Sequence, residues 1–190
     1  MSSHSSNYFI SIKNVSHFFL KILPYIIILL FTFAYILLAL NRYWQFESGY
    51  YDLGIFDTAL WKVAHFQTPI IDHFKLSGKN IFADHFHPSI FILAPIYWFT
   101  DKTEAILVAQ AIIVGLSGVV LFHIAKDKLR NAFAAISIVI AYFLFIGLQN
   151  ALAFDFHEVT VMTLPLMLLY WAIFTEKKKL YYIFLIYLRI

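Results

Sequence analysis

The chain has 190 residues, 62% of them hydrophobic and 13% charged, with a mean hydropathy of +0.77. A soluble domain is nearer half apolar and a quarter charged, so this composition excludes an ordinary soluble protein and predicts an all-α, polytopic membrane protein. The net charge of +3 does not mark a nucleic-acid partner, because Lys and Arg flank apolar runs; with no Cys, disulfides, thiolate metal sites and Cys nucleophiles are excluded.

Residues 1–21 form an N-terminal tail that carries Lys13 and Lys21. The apolar run 22–40 is long enough to cross a hydrocarbon core of roughly 30 Å. A signal peptide is the competing reading, but Ala34 and Ala39 lack the spacing of a cleavage site, which favours an uncleaved span. Residues 41–104 form a long outer loop with two short helices. Over 52–66, at about 100° per residue, Leu53, Phe56, Leu60, Val63 and Ala64 share one face, and Thr58, Lys62 and His65 lie opposite. That pattern predicts a helix lying in the membrane interface. Thr68-Pro69 ends it, and Ser77-Gly78-Lys79-Asn80 marks a turn. The second helix, over 88–100, opens with Pro88 and is too short to span.

Further spans are expected over 105–125, 132–148 and 159–174, which completes a membrane domain over 22–175. A short polar loop covers 149–158. Residues 176–190 form a basic loop and the start of a fifth span that the chain does not finish, as in the N-terminal part of a larger membrane protein. Lys13, Lys21, Lys126, Lys128, Arg130 and Lys177, Lys178 and Lys179 fall on one side of this arrangement. The positive-inside bias therefore predicts a cytoplasmic N-terminus in the cell membrane. Gly115-Leu116-Ser117-Gly118 is expected to allow close helix packing.

Chemistry-bearing residues gather in the outer loops. Asp52 and Asp57 are candidate catalytic acids: partial burial in apolar surroundings raises a carboxylate toward the range of a general base. Five residues apart, they lie about 140° around a helix, so they are not a same-face pair. Asp52 as a helix N-cap and Asp57 as an interface residue reaching water are the plainer alternatives. Asp84-His85-Phe86-His87 puts His85 and His87 on one side of an extended segment, a geometry that suits one phosphate or one divalent metal. Headgroup contacts, with His87 capping the Pro88 helix, are the alternative. Asp155-Phe156-His157-Glu158 echoes this cluster on the same membrane face, where an ordinary polar turn is also possible. Two clusters meeting across the loops would make His85, His87, Asp155, His157 and Glu158 substrate-binding candidates. His85, His87 and His157 are the metal candidates, and Asp72 and His73 rank lower. No phosphate-binding Gly loop or nucleophile elbow is present.

The stretches Tyr51-Asp52-Leu53-Gly54-Ile55-Phe56-Asp57-Thr58-Ala59-Leu60-Trp61, His85-Phe86-His87-Pro88, Leu93-Ala94-Pro95, Gln110-Ala111 and Phe154-Asp155-Phe156-His157-Glu158 occur in that order. Over about residues 42–175 the chain resembles the bacterial predicted membrane proteins of domain-of-unknown-function family twenty seventy-nine, whose name carries no established activity. Its plan is also similar to the GT-C-type polyprenyl-phosphate-sugar glycosyltransferases. That resemblance implies a membrane glycosyltransferase with a lipid-linked donor, Asp52 as the acceptor-activating acid and His residues or a divalent metal at the donor phosphate. The chain departs from the adjacent acid pair of many such enzymes: Leu53 follows Asp52, and the second acid is Asp57. A non-catalytic membrane component, a transporter subunit or lipid-binding scaffold, is the alternative.

Overall fold

The computed structural model describes residues 3–71, 79–83 and 86–189, with side chains from Lys21 onward except at 50, 51 and 189. Asp72, His73, Ser77, Gly78, Asp84 and His85 lie outside the described residues.

Helix α1 runs Ser3–Trp44, and its part Lys21–Trp44 is long and apolar enough to cross a membrane. So is α3, Glu104–Leu129. The 26 residues of α3 extend about 39 Å at 1.5 Å per residue. The expected third span is divided. Helix α4, Ala132–Leu144, and α5, Ile146–Phe154, meet at a 45° bend and count as one broken span if taken together. At the break the Phe143 carbonyl loses its helical partner. The Tyr35 hydroxyl donates to it instead, and the Gln149 amide reaches it at 3.5 Å.

The segment expected as the fourth span folds as α6, Glu158–Val161, and α7, Thr163–Phe174. Taken together as Glu158–Phe174, they still form a shorter apolar helix than the two that are long enough to cross a membrane. By length and composition, the described residues therefore hold two membrane-crossing helices, or three with the bent pair, where the sequence suggests four. Helix α8, Lys178–Arg189, packs against α7.

Helix α3 is the central post, packed against α1, α4 and α7. Its glycines make this possible. A Cβ at Gly115 would stand 2.2 Å from Thr32 Oγ1, and one at Gly118 would stand 2.6 Å from the Phe143 ring. Phe143 in turn stacks on Phe31, with ring centroids 5.0 Å apart.

The segment between α1 and α3 has a core of its own. A π-helical turn, Tyr50–Gly54, leads into α2, Ile55–Ala64, so the expected helix begins irregularly and ends at Ala64 rather than at Phe66. Leu53, Phe56, Leu60 and Ala64 are buried, as their period requires, together with Ile55 and Ala59. Their cover is protein: Ile90, Leu93, Ala94 and Tyr97 of the 3-10 helix Pro88–Trp98, with Ile106, Leu107 and Phe156. The face predicted to lie on lipid is thus packed inside the molecule. Trp98 Nε1 donates to the Ala64 carbonyl at 2.7 Å and Trp61 Nε1 to Asp101 at 2.9 Å, which fixes α2 in place. A two-residue ladder pairs β1, Ile70–Ile71, with β2, Lys79–Asn80, where the turn was expected.

Candidate functional site

Residues 149–154, expected as a polar loop, continue α5, because Leu148 and Leu152 bury one helical face. The true turn is Asp155–His157, and a single buried amide shapes it. Gln110 of α3 is 0% exposed. Its Nε2 donates to the Asp155 carbonyl at 3.0 Å, and its Oε1 accepts from the His157 backbone N–H at 2.7 Å. The Gln110 amide thus satisfies two backbone groups that no helix serves. Phe156, between them, is buried against the edge of the Phe56 ring at 5.6 Å. The Asp155 side chain accepts from the Gly49 N–H at 2.6 Å, which ties this turn to the segment after α1.

These ties bring distant acids and imidazoles together. His157 Nδ1 lies 2.9 Å from Glu158 Oε2, and its Nε2 lies 4.0 Å from Asp52 Oδ1. The other Glu158 oxygen, Oε1, lies 3.5 Å from His87 Nδ1. Glu158 is 3% exposed, so two imidazoles flank a carboxylate withdrawn from water, the arrangement that makes a buried acid tolerable. The result is a row, Asp52, His157, Glu158 and His87, drawn from three segments of the chain.

Asp52 is not an N-cap: Gly54 holds that position for α2, and the site makes no side-chain cap. His87 sits at the N-cap position before Pro88 without capping the helix. Asp155 is bonded to Gly49 rather than joined to the row. His85 falls outside the described residues. Among the described residues, no three His, Asp or Glu are placed to hold a metal ion. The metal candidates His87 and His157 instead meet opposite oxygens of Glu158.

Asp57 has a separate environment. The Tyr97 hydroxyl donates to Asp57 Oδ1, and Tyr97 is buried. Burial pushes the Asp57 carboxyl above its ordinary value of 3.8; hydrogen bonds from Tyr97 and Thr103 offset part of this, and nearby Glu104 adds to it. The Tyr97 hydroxyl is pushed up as well, by burial and by Asp57. Gln110, the residue that builds the turn, was not among the candidates. A lone amide inside the uncharged apolar run 105–122 was the signal that could have found it.

No curated protein and no solved structure matches the chain. A family model described as a predicted membrane protein (DUF2079) matches residues 42–189, a stretch that contains every element of the row and the amide that shapes it. The chain belongs to that family of predicted membrane proteins.

Proposed function

We propose that the chain carries the acceptor-activating part of a GT-C-like glycosyltransferase, with a polyprenyl-phosphate-linked sugar as donor and the row on the extracytoplasmic face of the cell membrane. The observation that carries this reading is the convergence of Asp52, His157, Glu158 and His87 at one end of the helices. Asp52 takes the proton of an acceptor hydroxyl. The freed oxygen bonds to the anomeric carbon as the bond from that carbon to the phosphate oxygen breaks, and the lipid phosphate leaves with the electron pair. His157 is oriented by Glu158, and His87 and His157 offer N–H donors to the departing phosphate. A cytoplasmic N-terminus follows from the basic clusters.

Support also comes from where charge is absent. Residues 22–41 and 105–122 contain no Asp, Glu, Lys, Arg or His, whereas a transport path needs ionisable groups within its spans. One observation favours a second reading, a lipid-binding scaffold: an apolar groove of about 410 Å³ runs between Leu93, Ile113, Val161, Leu168 and Phe184.

Sugar transfer from a polyprenyl-phosphate donor, followed in membranes containing the protein, separates the two. Asp52→Asn is expected to lower the rate by roughly 10²–10⁴-fold, the range of a general base, without lowering the amount of folded protein. An unchanged rate would remove Asp52 from the mechanism and leave the scaffold.

A further inference from the structure

A cleft of about 320 Å³ opens beside α2; besides Leu53 and Gly54, its lining includes Tyr43, Ser48, Gly49, Asp57, Thr58 and Thr103. We propose that this cleft binds a neutral polyhydroxylated group, with the Asp57 carboxyl as its anchoring hydrogen-bond partner.

The lining selects that chemistry. Tyr43, Ser48, Thr58 and Thr103 bring four hydroxyls around one carboxyl. Hydroxyls donate and accept, which matches a polyol; an ammonium group only donates. The Thr58 hydroxyl already donates to the Gly54 carbonyl at 2.7 Å, so toward a ligand it can only accept. Among the described residues no Lys, Arg or His lines the cleft, and Glu104 lies near enough to act on Asp57, so an anionic ligand would be repelled.

The anchor is fixed in place. Asp57 is held by Tyr97, which is itself buried in the core beneath α2. A perturbed carboxyl facing a cleft with a few convergent polar groups is the physical mark of a binding site. The rim at Gly49 joins the cleft to the Asp155–His157 turn. The Gly49 N–H is bonded to Asp155, and a Cβ there would stand 3.3 Å from Asp155 Oδ2. Asp57 then has a different task from Asp52: it positions a hydroxyl-bearing group rather than moving a proton. Such a group would be a partner in the transfer proposed above. Because binding is read without turnover, the two readings stand or fall separately.

The test is hydrogen–deuterium exchange of the full chain, in a detergent without sugar headgroups, with methyl mannoside and methyl glucoside as neutral probes. Ethanolamine and choline serve as cationic probes. At a glycoside concentration about ten times Kd, the amides of 48–58 are expected to exchange roughly tenfold more slowly. Asp57→Asn and, separately, Thr103→Val should lose that protection, and Asp52→Asn should keep it. Unchanged exchange with both glycosides would overturn the assignment. Protection by ethanolamine or choline alone would do the same, as would protection that survives both Asp57→Asn and Thr103→Val.

Discussion

The two ends of the helical bundle handle charge in opposite ways. At one end, Glu158 is 3% exposed and lies between His157 and His87. At the other, Lys126, Lys128, Arg130 and Lys177 are exposed, with Lys128 5.0 Å above the Phe174 ring and Lys177 4.3 Å above Trp171. Both ends combine ionisable groups with aromatic rings. They differ in desolvation. A charge left in water costs little and fixes little, whereas a buried one must be matched by partners in set positions. The His-acid end is therefore the place where geometry has been constrained.

Three substitutions sharpen that contrast, the largest effect first. Gln110→Leu keeps the volume of the buried side chain but strands the Asp155 carbonyl and the His157 N–H. At about 1–3 kcal/mol for each orphaned group, a loss of roughly 2–6 kcal/mol is expected in denaturant unfolding. A loss below about 1 kcal/mol would mean that the turn does not depend on its amide clamp.

Asp57→Asn should act through pH. The folded-state carboxyl of Asp57 is raised, so the native state binds its proton more tightly than the unfolded chain does. Its contribution to stability is then fully present below the ordinary value of 3.8 and is lost as pH rises through the raised value. Asn keeps an acceptor for Tyr97 and carries no charge. Thermal scans should show the variant gaining on the parent as pH is raised from acid to neutral; a pH-independent difference would contradict the desolvation account.

Lys177→Ala should have the smallest effect, under about 1 kcal/mol, because it removes one exposed cation–π contact with Trp171. A larger loss would show that the basic end is as tightly constrained as the other.

Much of this was legible in the sequence, and the misses have physical causes. The stripe Leu53, Phe56, Leu60 and Ala64 was readable because helical period encodes which face seeks cover. Period does not say what provides the cover. The 3-10 helix Pro88–Trp98 does so here, and the interfacial expectation rested on leaving that partner out. Gly115 and Gly118 were readable as packing residues, since close helix approach leaves few alternatives. The bend between α4 and α5 has no Pro to announce it; its freed Phe143 carbonyl is satisfied by Tyr35, more than a hundred positions away in the chain. Candidate residues in both His-bearing clusters were visible, yet the pairing of His87 with Glu158 depends on the tertiary fold and has no local signature.

The segment after α1 and the Asp155–His157 turn meet through Gly49–Asp155 and Asp52–His157, contacts that require both segments to lie on the same face of the membrane. The most direct measurement labels single cysteines introduced at Glu47, Asn150 and Leu129 with a membrane-impermeant thiol reagent in intact cells, against a chain that has no Cys of its own. All three positions are exposed. Labelling at Glu47 and Asn150 but not at Leu129 is the predicted result. Labelling at Glu47 and Leu129 with Asn150 protected would place the two segments on opposite faces and contradict the shared site.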